Sequence, residues 1–156
     1  MKNYFKDKLI VSIEQAVAAP YCTAKLADAG ARVIKVERKE GDFARYYDDF
    51  VKGDSTYFVW LNRGKESLVA NIKNSEDVKL LKKIISKADV FVQNLGPGVL
   101  KKVGLDSATL RKQYNSLITC DISGFGETGP YSKLKAYDLL VQAETALCSL
   151  TGTPDA

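Results

Sequence analysis

The chain has 156 residues, of which 46% are hydrophobic and 27% are charged, and its formal net charge is +4. This length predicts one domain that can bury a core of ordinary size. The mild positive charge suits a small anionic ligand as well as nucleic acid, so it decides neither. The sequence contains no histidine, which excludes a Ser-His-Asp or Cys-His arrangement and the usual zinc sites within this chain.

The sequence carries no sign of a membrane or secretory protein. It has no run of about 18 apolar residues, and its N-terminal stretch carries charges throughout. Cys22, Cys120 and Cys148 lack metal-like spacing and lie among apolar residues, so they are predicted to be small buried thiols in a reducing compartment. We therefore expect a cytoplasmic protein with no metal site and no membrane partner. We also expect that its partner is not a nucleic acid.

Strand-like and helix-like patterns alternate through the first half of the chain. Leu9–Ser12 is a short apolar run that predicts a strand, and Pro20–Ala29 is rich in helix formers and ends at a glycine. Arg32–Val36 reads RVIKV, an alternating β-branched pattern that predicts a second strand. The polar and aromatic segment Gly41–Ser55 predicts a long loop or a short helix, and Ser67–Ile72 a third strand.

The same alternation continues through the second half. A helix is predicted from Ser75, because two acids occupy its first turn and an apolar stripe runs along one face to Lys87. The other predicted elements are a strand at Asp89–Gln93, short helices at Val99–Val103 and Ser107–Tyr114, a strand at Leu117–Ile122 and a helix at Tyr137–Leu150. Strands separated by helices predict an α/β fold: a Rossmann-like open parallel sheet with flanking helices.

Ligands of open parallel sheets bind beyond the carboxyl ends of the strands. Three glycine-containing loops leave such ends here, Glu37–Gly41, Asn94–Gly98 and Ser123–Pro130. Turns that need a positive or fixed φ explain the glycines at least as well as close approach of a ligand does. We expect the loops to cluster at one edge of the sheet.

Polar and basic residues recur near this predicted edge, namely Arg38, Lys73, Asn94 and Lys102. A ligand that carries a diphosphate would be attracted by such cations, although a solvated basic surface gives the same pattern. The chain has neither a GxGxxG motif after its first strand nor a P-loop. The sequence therefore lacks the motifs that usually indicate binding of a dinucleotide or of the phosphates of ATP.

Asp138 is the most suggestive single residue. It follows Tyr137, precedes an apolar helical segment and lies downstream of the glycine-rich turn that begins at Ser123. Aspartate is a preferred helix N-cap, and a carboxylate on an otherwise apolar element can also be a reactive group. The spacing alone leaves both interpretations open.

The sequence resembles the class III CoA-transferases, the family of formyl-CoA transferase and carnitine CoA-transferase. The resemblance rests on SGFGETGPY from Ser123, on Tyr137-Asp138, on Gln142-Ala143 and on Thr151-Gly152. It extends to LIVSIEQAVAAPYCTAKLADAGARVIKVER at residues 9–38 and to KADVFVQNLGPG at residues 87–98. The match covers nearly the whole chain, and its motifs are specific in combination.

This resemblance implies roles for individual residues. Asp138 falls on the nucleophilic aspartate of the family, and Gln15 on a glutamine near the reacting thioester. The positions that match CoA contacts are Arg38, Lys73, Asn94, Leu95 and Lys102. The sequence departs from the pattern at four positions. Leu95 replaces a common phenylalanine, Ala146 stands where the family usually has glycine, and Thr145 and Cys148 are small changes on the same helix.

The reaction implied is transfer of coenzyme A from an acyl-CoA donor to a small carboxylic acid, through an aspartyl-CoA thioester at Asp138. Coenzyme A is then a substrate, and no metal, redox group or other permanently bound cofactor is needed. An α-methylacyl-CoA racemase shares the fold, but it uses a histidine immediately before the aspartate, where this chain has Tyr137. A CoA-binding module without catalysis would also fit the sequence, as would a structural fragment or assembly partner.

The resemblance also predicts how the chain is organised. Residues 1–150 correspond to an incomplete CoA-binding nucleotide-fold domain, the N-terminal part of the family's large domain, and residues 151–156 to the start of a linker toward a second domain. Members of the family are longer and form interlocked homodimers, so this portion is expected to be inactive alone. The AYDLLVQAE segment resembles members that use short dicarboxylates, while oxalate and carnitine remain possible acceptors.

Overall fold

The computed structural model describes residues 3–153, in which strands and helices alternate along the chain. The strands are β1 (Leu9–Ile13), β2 (Arg32–Glu37), β3 (Lys65–Val69), β4 (Val90–Gln93) and β5 (Ile118–Asp121). The α-helices are α1 (Ala18–Asp28), α2 (Thr56–Asn62), α3 (Ser75–Ile85), α4 (Ser107–Gln113) and α5 (Asp138–Glu144). Short 3-10 helices occupy Phe43–Tyr46, Leu100–Val103 and Leu147–Ser149. Residues up to Ile122 form one unit and those from Ser123 a second.

The first unit is a five-stranded sheet in which all neighbouring strands are parallel, in the order β3-β2-β1-β4-β5. Strands β2 and β3 follow β1 in order on one side of it, and β4 and β5 lie on its other side. The strand order therefore reverses between β1 and β4, which is the place where open α/β sheets form a ligand crevice. The predicted α/β fold with an open parallel sheet is confirmed.

Apolar clusters cover both faces of the sheet. One cluster contains Val11, Phe91, Leu81 and Leu110, and the other contains Ile10, Val33 and Val92. Adjacent residues of β1 thus point into opposite clusters, as the alternation of a strand requires. Because both faces are covered, a charged side chain in the middle of β2 is buried and needs a partner.

Side-chain caps explain where several helices begin. Asn74 accepts hydrogen bonds from the backbone N–H groups of Glu76 and Asp77 at the start of α3. Asp106 accepts one from Thr109 at the start of α4. These are the positions at which helices otherwise leave donors unsatisfied. No helix within residues 3–153 combines the length and the apolar character that a membrane crossing requires.

In the first unit, the third predicted strand had the wrong boundaries, and helix α2 was not predicted. The third strand begins at Lys65 and ends at Val69, earlier than predicted, because it pairs along β2 from Val33↔Lys65 to Glu37↔Val69. Helix α2 was missed, since its run of aromatic and β-branched residues has low helix propensity. The Ser55 hydroxyl caps this helix by accepting from the N–H of Phe58.

The last predicted helix was too long. Helix α5 ends at Glu144, and Ala146 adopts a left-handed conformation with φ 59° before the 3-10 turn at Leu147–Ser149. A left-handed residue interrupts the α-helical hydrogen bonds, and glycine is the residue that adopts it without strain. This explains why the resemblance leads one to expect glycine at position 146. Cys148, which was predicted to be buried, is exposed.

Candidate functional site

A cleft of about 590 Å³ opens at the carboxyl edge of the sheet in the first unit. Four of the residues singled out from the sequence line it, namely Gln15, Arg38, Lys73 and Leu95. They come from the segments that follow β1, β2, β3 and β4. The expectation that the loops after β2 and β4 share one edge is confirmed by this cleft.

The exposed charges of the cleft are mainly positive. Arg38, Lys39 and Lys73 are exposed, and among the exposed lining residues Glu40 is the acid. The other lining acids, Glu14, Glu37 and Asp42, are buried and engaged by lysine or arginine side chains. Arg38 donates to the Gly41 carbonyl (3.0 Å), but within residues 3–153 these exposed cations form no ion pair. We call them free cations in this sense, and an anionic ligand in the cleft would meet them with the buried acids already neutralised.

Gln15 and Asn94 meet across the point where the strand order reverses. The Asn94 side chain accepts a hydrogen bond from the Gln15 N–H (2.9 Å) and donates one to the Gln15 carbonyl (2.8 Å). Within residues 3–153, the hydrogen bonds of Gln15 use its backbone alone. Its side-chain amide is thus available to a ligand, while Asn94 fixes the backbone that carries it.

Two of the residues matched to CoA contacts lie apart from the lining of the cleft. Asn94 is occupied by the backbone of Gln15, and Lys102 is exposed in the 3-10 turn that follows β4. A direct contact of either residue with CoA stays a prediction. The Asn94 contact with Gln15 is a positioning contact that the sequence did not indicate.

A buried acid organises the loop that carries Arg38. Glu37 is 6% exposed and accepts hydrogen bonds from Arg45 (2.8 and 3.1 Å), from the Ser67 hydroxyl (2.8 Å) and from the backbone N–H of Asp42 (3.0 Å). Burial by itself would raise the pKa of Glu37, but these hydrogen bonds outweigh it and lower the pKa to about 2. Glu37 is therefore a structural anion at neutral pH.

The sequence analysis also missed a group of four buried charged residues behind Gln15. Glu14, Lys35, Asp42 and Lys65 form ion pairs with one another, and three of these residues are less than 5% exposed. The available signal was Lys35 itself, a charged residue in the middle of RVIKV. A central strand of a parallel sheet is covered on both faces, so this lysine had to be buried and paired.

Asp138 belongs to the second unit and is the first residue of α5. The N-cap is Tyr137, and no side-chain cap hydrogen bond is formed, so the interpretation of Asp138 as an N-cap was wrong. Its carboxylate is exposed and accepts a hydrogen bond from the Gln142 side chain one turn later (2.5 Å). The carboxylate therefore stays accessible.

The glycine-rich turn of the second unit packs closely against the segment that leads to Asp138. A Cβ atom at Gly124 would lie 1.9 Å from the Ala136 Cβ, which no side chain tolerates. Ser123 closes the turn by accepting from the N–H of Gly126 (3.1 Å). Within residues 3–153, no three acidic or cysteine side chains lie close enough together to hold a metal ion.

Comparisons with known proteins agree on one family. The sequence model of CoA-transferase family III matches residues 5–156. The chain is 39% identical to acetyl-CoA:oxalate CoA-transferase of Acetobacter aceti, covering 99% of this chain and 40% of that protein. It is 40% identical to succinyl-CoA:glutarate CoA-transferase of Mus musculus, covering 94% of this chain and 34% of that protein.

Solved structures give the same result. A CAIB/BAIF family protein from Brucella suis superposes with a TM-score of 0.91 at 35% identity, covering 100% of this chain and 43% of that protein. The chain thus spans less than half the length of the relatives it matches.

Proposed function

Because this chain belongs to CoA-transferase family III, we propose that the whole protein transfers coenzyme A from an acyl-CoA donor to a carboxylic acid. The observation that carries the proposal is the cleft at the carboxyl edge of the sheet, where free cations lie beside an unengaged glutamine side chain. Arg38 and Lys73 suit the phosphates of CoA. Gln15 can then donate to the thioester end of the same ligand.

We assign the nucleophile to Asp138, in agreement with the resemblance and with its exposed carboxylate. The carboxylate attacks the thioester carbonyl of the donor and expels CoA thiolate, which leaves an acyl-aspartyl anhydride. The thiolate attacks the aspartyl carbonyl, releases the donor acid and forms an aspartyl-CoA thioester. Covalent catalysis of this kind divides one difficult exchange into easier steps.

The second half of the reaction reverses the first. The acceptor carboxylate attacks the aspartyl-CoA carbonyl and expels CoA thiolate, and the thiolate then attacks the acceptor acyl carbonyl. The products are the new acyl-CoA and the free Asp138 carboxylate, so no metal, redox group or permanently bound cofactor takes part. Each addition creates an oxyanion that needs preorganised donors, and Gln15 and the backbone N–H groups of the glycine turns are the candidates.

The relatives narrow the class of acceptor. Their names specify oxalate and glutarate, which are both short dicarboxylic acids, and the free cations of the cleft are compatible with anionic substrates. We therefore propose a short dicarboxylate as the acceptor. As the resemblance implies, the active form is an interlocked homodimer and the 156-residue portion is inactive alone.

The test is a transfer assay on the whole protein with succinyl-CoA and oxalate or glutarate. Asp138→Asn should abolish transfer, whereas Glu144→Gln removes a carboxylate from the same helix and should leave the rate unchanged. Hydroxylamine should trap an activated aspartyl carbonyl in the wild-type protein. If Asp138→Asn retained transfer, the assigned nucleophile would be wrong.

The same samples distinguish transfer from racemisation and from CoA binding without catalysis. A racemase would exchange the α-proton of a 2-methylacyl-CoA with solvent deuterium. In that case the wild-type protein would show no CoA transfer for Asp138→Asn to abolish, and hydroxylamine would trap no adduct. A binding module without catalysis would bind CoA equally well with asparagine at position 138 and would form no trapped adduct.

A further inference from the structure

The turn that carries Gln15 is held from two sides. Asn94 binds both the N–H and the carbonyl of Gln15. On the other side the N–H of Ala16 donates to Asp42 Oδ1 (3.0 Å), and Ala16 adopts a left-handed conformation with φ 62°. Such a conformation is uncommon outside glycine and persists where the surroundings enforce it. The direction of the Gln15 side chain therefore depends on both contacts.

Asp42 is itself fixed by donors on every side. It is 4% exposed, and its Oδ2 atom accepts from Lys35 Nζ (2.7 Å). Its Oδ1 atom accepts from Ala44 as well as from Ala16, both at 3.0 Å. Lys35 is 1% exposed and also donates a hydrogen bond to Asn62 Oδ1 at 2.9 Å. A carboxylate that receives only donors in a buried site has little freedom to move.

Glu14, the residue before Gln15, extends the same network. Its two carboxylate oxygens accept from Lys65 Nζ (2.7 Å) and from the Thr23 hydroxyl (2.7 Å), and Lys35 Nζ lies 4.0 Å away. The two lysines and two acids of the network cancel in charge. Desolvation offsets part of the attraction between these buried charges, so their presence alone is weak evidence for stability. The specific effect of the network is on geometry, since it fixes the residues on both sides of Gln15.

We propose that Asp42 is a positioning residue that orients Gln15 in the cleft by holding the N–H of Ala16, with Lys35 as its charge partner. This inference rests on the proposed role of Gln15 beside the thioester. The inference gives the buried network a role in the reaction, namely to position Gln15. A glutamine that donates to a developing oxyanion has to be in place before the substrate arrives.

Asp42→Asn is the informative substitution. Asparagine either turns its NH₂ toward the Ala16 and Ala44 N–H groups and loses both contacts, or turns it toward Lys35 and leaves a neutral amide oxygen on Ala16. Because a neutral oxygen accepts more weakly than a carboxylate, the contact with the Ala16 N–H is weakened or lost in either orientation. Asp48→Asn is the matched control. Asp48 lies in the same connection, accepts from the Thr56 N–H (2.8 Å) and hydroxyl (2.6 Å), and does not bond to the turn at Gln15.

Two measurements on the whole protein test the proposal, amide hydrogen exchange at residues 14–17 and steady-state transfer kinetics. Asp42→Asn should accelerate exchange at Ala16 and lower kcat roughly tenfold to a hundredfold, with little change in CoA affinity. Asp48→Asn should change neither. Adding Asp42→Asn to Gln15→Ala should cause no further loss of kcat, because the two residues act through one contact.

Additive losses in the double variant would overturn the proposal, as would an unchanged kcat or unchanged exchange at Ala16 in Asp42→Asn. If Gln15→Ala kept the wild-type kcat, the proposed role of Gln15 would fail and the positioning role of Asp42 with it, while transfer through Asp138 would stand. Should Asp42→Asn not fold, Lys35→Met combined with it removes both buried charges. The same faster exchange at Ala16 and lower kcat are then expected.

Discussion

The buried pair between Glu37 and Arg45 should stabilise the first unit strongly and in a pH-dependent way. Glu37→Gln keeps the shape of the side chain and removes its charge. The lowering of the Glu37 pKa from 4.5 to about 2 corresponds to about 3 kcal/mol at neutral pH. Because the pKa is lowered in the folded state, this stabilisation is complete above about pH 4.5 and is lost as the pH falls toward 2.

The assay is urea unfolding followed by circular dichroism between pH 7 and pH 2, and the quantity compared is the difference in unfolding free energy between wild type and Glu37→Gln. We expect about 3 kcal/mol at pH 7 and about half of that near pH 3. Other carboxyl groups also have pKa values that are lowered by their own partners, such as Asp89 beside Lys8. Because the wild type and the variant share these groups, their contributions cancel in the difference of unfolding free energies.

Glu66→Gln is the control, since Glu66 also forms two hydrogen bonds with an arginine, Arg32 (2.7 and 2.8 Å). Those two side chains are 55% and 62% exposed, so solvent screens the pair and its loss should cost much less. Added salt should weaken the effect at Glu66 and spare that at Glu37. Equal effects of the two substitutions at pH 7, or a Glu37 effect independent of pH, would show that burial does not strengthen the Glu37 pair.

Three further predictions concern stability and binding. Ala146→Gly relieves the left-handed backbone at φ 59° and should raise the unfolding temperature slightly, whereas Ala143→Gly inside α5 should cost about 1 kcal/mol. Lys73→Ala should weaken CoA binding roughly tenfold by calorimetry, and Lys83→Ala, outside the cleft, should not. If Lys73→Ala bound CoA as tightly as the wild type, Lys73 would not be part of the CoA site. Phe91→Ala empties a fully buried position of β4 and should cost about 3–5 kcal/mol in urea unfolding; a much smaller loss would contradict the packing described.

The sheet was predictable from the sequence because its signals are local. β-Branched runs such as Arg32–Val36 and the capped helix that begins at Ser75 identify their elements without knowledge of tertiary contacts. Helix α2 and the start of β3 were not predictable in the same way. Pairing with β2 sets the register of β3, and Thr56–Asn62 folds as a helix against its intrinsic preferences.

The candidate site was predictable only where residues face the cleft. Arg38, Lys73 and Gln15 were identified from strand ends and from the family resemblance, and the structure brings them to one cleft. The residues that hold Gln15 in place were not, because Asp42 lies 26 positions away from Ala16 in sequence and Asn94 lies 79 positions away from Gln15. Contacts at that separation leave no trace in spacing or periodicity.

The covalent intermediate proposed at Asp138 can be sought by mass spectrometry of the whole protein after mixing with an acyl-CoA in the absence of acceptor. We expect a covalent adduct with the mass of CoA on the peptide that contains Asp138. This adduct should disappear when the acceptor acid is added, and it should be absent from Asp138→Asn. An adduct on another residue, or full transfer activity with no adduct during turnover, would contradict the proposed mechanism.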